Sequence, residues 1–230
     1  SSPSSSSPSP SCFPSDAIVE TPEGKKSIYE IDIGDFVLSH EGFSEVYLLS
    51  HADNETLGDY IRLSTDNGTS LRLSAEHFIL SNGRYVYAKD VRKGDRLAYG
   101  ETVIDIEFEK ARGLWNPFTM AGTIVVDGIV ASCHSDWFLE ELPEWMRPSA
   151  AIIPSIYQTL MAPARKIYER NKAWVKRFTK SFDGKAIGEH SVVEVLQKMW
   201  KSYWEKEGTH IHKHTHSHNC AHLKCNIKLQ

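Results

Sequence analysis

Glu30-Ile31-Asp32-Ile33-Gly34-Asp35-Phe36-Val37 recurs 60 residues on as Asp90-Val91-Arg92-Lys93-Gly94-Asp95-Arg96-Leu97, with an acid, an aliphatic, the Gly-Asp pair and a closing aliphatic in register. The same offset of 60 sets Ser44-Glu45-Val46-Tyr47-Leu48 against Ile104-Asp105-Ile106-Glu107-Phe108. An internal duplication of this kind predicts two related halves that exchange elements, with an active centre between them. Outward from the repeat, short apolar runs at 17–19, 36–38, 45–49, 60–63, 70–73, 78–80, 85–87, 96–99, 102–108 and 122–131 read as β-strands. Turn clusters separate them: Thr21-Pro22-Glu23-Gly24, His40-Glu41-Gly42, and Thr65-Asp66-Asn67-Gly68, whose Asp-Asn-Gly run is a hairpin signal. The expected fold class is all-β, a pseudo-two-fold arrangement of short strands over residues 12–135.

At 230 residues, 40% hydrophobic and 24% charged, the chain is long enough for one good core and a small second one. The net charge of -4 is unevenly spread: residues 12–145 carry 11 Lys/Arg against 24 Asp/Glu, and residues 146–207 carry 12 against 6. That asymmetry predicts two regions with different work. The acidic part offers no basic face for a phosphate backbone, which excludes nucleic acid as a partner. No run of 18 apolar residues is present to span a bilayer. The chain starts with Ser rather than Met and shows no signal peptide, so it reads as a fragment with any targeting signal missing. Residues 1–11, Ser and Pro alone, read as a flexible linker.

The first residue of the patterned region is Cys12. Its thiolate can bend back onto the Ser11 carbonyl through a five-membered ring and turn the Ser11-Cys12 amide into a thioester, an intramolecular attack with an effective molarity of about 10⁵ M or more. The chain would then be its own substrate. The alternative is that Cys12 is a buried apolar residue or half of a disulfide. Leu73-Ser74-Ala75-Glu76-His77, between the halves, places a hydroxyl three residues before an imidazole at a strand end. On one turn beside a carbonyl, the Ser74 hydroxyl or amide is a candidate oxyanion donor and His77 a proton shuttle for the leaving nitrogen. The competing reading is a turn with an exposed or core-packed histidine.

With Cys12-Phe13 at the start, Ser74-x-x-His77 in the middle and Gly122-Thr123-Ile124-Val125-Val126 to Val130-Ala131-Ser132-Cys133 at the end, residues 12–135 resemble the Hint autoprocessing domain of hedgehog proteins, whose fold is shared with inteins. The resemblance implies a horseshoe of β-strands, an N-to-S acyl shift at Cys12, and release of the upstream part to a second nucleophile, cholesterol in the hedgehogs. It further implies that His77 is the family's histidine and Cys133 its late cysteine near the centre. Ser74 stands where the family usually has Thr and keeps the hydroxyl. Ser11 stands where hedgehogs typically have Gly, which enlarges the acyl group. His51 falls in the slot where cholesterol-transferring members carry an aspartate, with Asp53 two residues on. A histidine titrating near neutrality could serve as base for the second nucleophile, Asp53 orienting or replacing it; alternatively His51 is a surface loop residue. A secretory or extracellular location follows from the same resemblance.

Past 135 the pattern turns helical: a short helix at 136–142, an amphipathic stretch at 156–180 interrupted by Pro163, and a last helix at 192–205, with Pro148 and Pro154 as breakers. By placement, residues 136–207 read as the region that recognises the adduct, a sterol or other lipid, or as a helical hairpin at a membrane surface; docking on the acidic β domain is the other option. The tail 208–230 holds six His and two Cys without the spacing of a closed zinc module, so His214, His216, His218 and Cys220 are weak metal candidates in a disordered tail. His218-Asn219-Cys220 copies an intein junction, but the β domain closes at Ala131-Ser132-Cys133, which argues against splicing. Self-cleavage by Cys12 with no cofactor, a catalytically inactive Hint scaffold used for binding, and a secreted metal-binding or disulfide protein are the three functional readings.

Overall fold

A computed structural model describes residues 12–135, 148–173 and 175. The linker 1–11, the helices expected at 136–142 and 192–205, and the His/Cys tail with His214, His216, His218 and Cys220 lie outside the described residues.

Ten strands run through the described residues: β1 Ile18–Thr21, β2 Gly24–Ser27, β3 Phe36–Ser39, β4 Gly42–Thr65, β5 Ser70–Leu73, β6 His77–Ser81, β7 Arg84–Tyr87, β8 Val103–Thr119, β9 Thr123–Val126 and β10 Ile129–Ser135. One sheet has the order β2-β1-β9-β10-β6-β7; in the other β3-β4-β5 are adjacent and β8 pairs with β4. The expected all-β class is what is observed. β5 shows the cause on a small scale: Leu71 and Leu73 are fully buried, while Ser70 and Arg72 alternate with them on the wetter face. The turn expected at Asp66-Asn67-Gly68 closes the β4-β5 hairpin, with Gly68 at φ 85° and Asn67 Oδ1 accepting from the Thr65 hydroxyl at 2.7 Å.

The apolar runs 45–49 and 60–63 are one strand, not two. Polar residues between them, which carry no core-facing alternation, stay extended because β8 pairs along the strand, from Val46↔Thr119 to Thr65↔Val103. The run 96–99 is not a strand; a single rung, Arg96↔Thr102, closes a tight turn around Gly100 at φ 90°.

The duplication is visible atom by atom. Asp35 Oδ2 accepts from the Asp32 amide and Asp95 Oδ2 from the Arg92 amide, both at 2.9 Å. Gly34 and Gly94 sit at φ 92° and 93°, a region open to glycine, and donate to the carbonyls of Val46 and Val103, both at 2.7 Å. Those last partners correct the expected register. Val46 corresponds to Val103, an offset of 57 rather than 60, because the β3-β4 hairpin of the first half shrinks to the Gly100 turn in the second.

Among the described residues two helices follow, α1 Ile153–Leu160 and α2 Ala162–Arg170. Pro163 interrupts the amphipathic stretch as expected, but Pro154 begins a helix instead of breaking one, since an N-terminal position has no intrahelical N–H bond to lose. The pair lies on the β domain. Ile153 and Tyr157 pack on Phe78 and the rings of Tyr85 and Tyr87, and burying such side chains contributes about 1.5–3 kcal/mol each. Tyr168 donates to Glu45 Oε1 at 2.7 Å, and Lys172 pairs with the other oxygen of that half-hidden carboxylate. Among the described residues no helix is long and apolar enough to cross a membrane.

Candidate active site

Cys12 is held in an extended segment between two partners. The next residue, Phe13, exchanges both backbone hydrogen bonds with Trp115 of β8, at 2.8 and 2.9 Å. Cys12 itself turns its backbone the other way: its N–H donates to Ser74 Oγ at 2.8 Å, and its carbonyl accepts from the Ser74 amide at 3.0 Å. The close approach needs glycine at 113, where φ is 93° and a Cβ would stand 2.5 Å from Ser15 Cβ. Burial, reinforced by the negative charge of Asp53, raises the Cys12 pKa well above that of a free thiol, so the resting group is S–H.

Ser74 therefore holds the nitrogen of the Ser11-Cys12 amide. Its amide, expected as one oxyanion donor, is committed to the Cys12 carbonyl, and its oxygen receives the N–H of the amide that would break. The Ser74 carbonyl accepts from the His77 amide at 3.1 Å, closing the turn that brings the imidazole alongside. His77 is fully buried, with its ring 4.4 Å from that of Phe13. Nε2 lies 2.6 Å from the Ser132 carbonyl, an acceptor only, so Nε2 carries the proton and Nδ1 presents a lone pair. That Nδ1 has no partner among the described residues. Burial lowers the His77 pKa to about 4 against the opposing pull of the Ser132 carbonyl, leaving the ring neutral at pH 7.

His51 and Asp53 lie on β4, in register with Asn116 and Leu114 of β8. Asp53 is close enough to act electrostatically on Cys12, and His51 on Asp53. The Asp53 carboxylate accepts from the Thr56 hydroxyl at 2.6 Å and from the amides of Glu55 and Thr56 at 2.7 and 3.1 Å. The Thr56 hydroxyl is the largest cause of its lowered pKa, so this carboxylate is a poor base and a good anchor for charge. His51 is half-buried, with Nδ1 3.4 Å from Ser50 Oγ. Cys133 is buried; its sulfur contacts Thr119 Oγ1 at 3.5 Å, and its pKa is raised to about 11 by burial. Its backbone neighbour Ser132 supplies the carbonyl on His77. Neither Cys12 nor Cys133 is in a disulfide. Among the described residues no cluster of His, Cys, Asp and Glu has a metal-holding arrangement.

A Hint module model matches residues 1–184 of the chain. The chain belongs to the Hint family. Among curated proteins it is 30% identical over 169 residues to Warthog protein 6 of Caenorhabditis elegans, covering 65% of this chain and 28% of that protein. It is 32% identical over 154 residues to the hedgehog protein of Drosophila virilis, covering 58% of this chain and 32% of that one. The chain thus spans less than a third of either relative's length. Among solved structures, the gp41-1 intein aligns over 54% of this chain and 99% of its own at 20% identity, with a TM-score of 0.48.

Several residues of this Hint domain escaped the motif reading. Tyr60 is buried and donates to the Gly113 carbonyl, within electrostatic reach of Cys12. Asn116 is 1% exposed, with its Oδ1 unpartnered among the described residues. His134 is buried, stacked on Tyr157 at 5.6 Å and 3.3 Å from Gln158 Oε1. None belongs to a local pattern; each gains its place from a strand pairing or a docked helix.

Proposed function

We propose that this Hint domain cleaves the Ser11-Cys12 bond by acyl transfer within its own chain. The observation that carries the reading is the grip on the Cys12 nitrogen: Ser74 Oγ at 2.8 Å, with a buried neutral imidazole one turn away offering an unpartnered Nδ1. In the first step the Cys12 sulfur attacks the Ser11 carbonyl carbon, and the thiol proton passes to His77 Nδ1. The tetrahedral adduct collapses as the C–N bond breaks, and Nδ1–H returns the proton to the Cys12 nitrogen. A thioester and a free amine result. A base of depressed pKa suits this shuttle, since it must give the proton back.

In the second step a nucleophile H–Nu attacks the thioester carbon, the C–S bond breaks, and its proton ends on the Cys12 sulfur. His51 serves as base for that nucleophile, and Asp53, already ionised and tied down, stabilises the imidazolium. The nucleophile class is a sterol, another lipid or water; the aromatic and basic residues of 136–207 are the candidate contact with a lipid or a membrane surface. Cys133 supports the strand end that orients His77. No cofactor takes part, and by family resemblance the setting is the secretory pathway or outside the cell.

The test is mass spectrometry of the 230-residue chain with and without dithiothreitol or hydroxylamine at pH 8. Release of residues 1–11, leaving a chain that begins at Cys12, is the expected result. A chain that stays intact under both reagents identifies an inactive scaffold instead.

A further inference from the structure

We infer that Asn116 is a catalytic residue of this domain, its side-chain amide donating to the acyl oxygen of residue 11 in the tetrahedral adducts on either side of the thioester. The inference rests on the autoprocessing reading above and adds a group that no motif indicates. Phe13 and Trp115 form a mutually hydrogen-bonded antiparallel pair, and the alternation of the Cys12 and Phe13 backbones, one toward Ser74 and the other toward Trp115, shows that the segment is extended. One rung along, Cys12 lies opposite Asn116, which in turn pairs with His51. Residues directly opposite on antiparallel strands share a face, with Cβ atoms about 4.5–5.5 Å apart. Cys12, Asn116 and His51 are therefore a row across three chain segments, with Asn116 in the middle. Asp53, two residues beyond His51, shares that face, and its action on the Cys12 pKa agrees with the placement.

Asn116 is 1% exposed, and its side-chain Oδ1 is buried without a hydrogen-bond partner among the described residues. A buried acceptor left unpaired is unfavourable, so a purely structural role would favour an apolar residue here. The acyl carbon becomes bonded to the Cys12 sulfur, so its oxygen must develop negative charge within reach of whatever faces that sulfur. The Ser74 amide is bound to the Cys12 carbonyl, and Ser74 Oγ sits on the nitrogen side of the scissile bond. Asn116 brings two N–H groups to the middle of the row, in a low-dielectric setting where such a bond counts most.

Asn116→Ala and Asn116→Asp in the 230-residue chain decide the matter, read as the single-turnover rate of hydroxylamine-induced release of residues 1–11. The expected outcome for Asn116→Ala is a slowing of about 10²-fold, the usual loss for one oxyanion donor, with no fall in the urea midpoint. Asn116→Asp has the same shape and no N–H at neutral pH. Its rate relative to wild type is expected to rise as pH falls and the new carboxyl gains a proton to donate, whereas a structural role would leave that ratio flat. Should Asn116→Ala fold poorly, the pH ratio of the Asp variant decides alone. Release within twofold of wild type in both variants overturns the role of Asn116 and leaves autoprocessing standing. Absence of release from the wild-type chain overturns autoprocessing and this role together.

Discussion

His77 and His134 are buried neutral with pKa values lowered to about 4 by desolvation, against an ordinary value of 6.5. The unfolded chain binds more protons than the folded one between those two values, so stability is present above about pH 6.5 and drains away as pH falls toward 4. Each ring contributes up to about 3 kcal/mol to that loss. Urea midpoints measured between pH 7 and pH 4.5 are expected to fall, and His134→Phe, which keeps the stack on Tyr157, to flatten the slope by roughly half. A second residue-level expectation separates the chemical steps. His51→Ala should keep thiol-induced release, because a thiolate needs no base, but lose transfer to a hydroxyl nucleophile. If Asp53→Ala shows that split and His51→Ala does not, the base is Asp53. His77→Ala blocks the thioester itself, so thiol release falls by about 10²–10⁴-fold; Cys12→Ala abolishes it.

The segment 112–116 of β8 is where a backbone requirement meets the chemistry. Gly113 lies at φ 93° against Ser15, two residues before the Trp115 rung that holds Phe13. Gly113→Ala forces a Cβ to 2.7 Å from the Ser15 nitrogen and adds left-handed strain, together about 2 kcal/mol or more. The expected result is a lower urea midpoint and slower release, with Cys12 displaced from Ser74. The helical pair is tied on differently. Gln158 accepts from Arg165 at 2.7 Å, donates to the Met120 carbonyl at 3.1 Å and meets His134 Nε2 at 3.3 Å. Gln158→Ala leaves the Met120 carbonyl and the His134 ring without it, which should cost about 1–3 kcal/mol. Hydrogen exchange in α1 should then accelerate before that in β4 or β8.

Across the molecule, Cys12 depends on contacts made far along the chain: Ser74 at a separation of 62 residues, and Trp115 through Phe13. No short piece can assemble the site. Release by hydroxylamine is expected to track the folded fraction through a urea titration and to vanish above the midpoint; release that persists in the unfolded chain would mean that Cys12 reacts without the β domain. Pairings of such long range also predict slow folding, on the order of milliseconds to seconds.

Much of this was legible before any coordinate. The Gly-Asp repeat, the turn at Asp66-Asn67-Gly68 and the alternation in 70–73 are local signals; the strands at 36–39 and 70–73 formed where expected, while the run 96–99 after the second Gly-Asp pair became a turn. Cys12 and Ser74-x-x-His77 stood out because acyl-shift chemistry needs adjacent or one-turn spacing, which a linear chain displays. Three things were not legible: the slip of the repeat from 60 to 57, the seat of Ser74 Oγ on the nitrogen of Cys12, and the row of Cys12, Asn116 and His51. Each depends on which residues face one another across strands distant in sequence. A strand's period of two says that a residue has a face, but the partner across that face is chosen by the ladder, and the ladder exists only once the chain has folded.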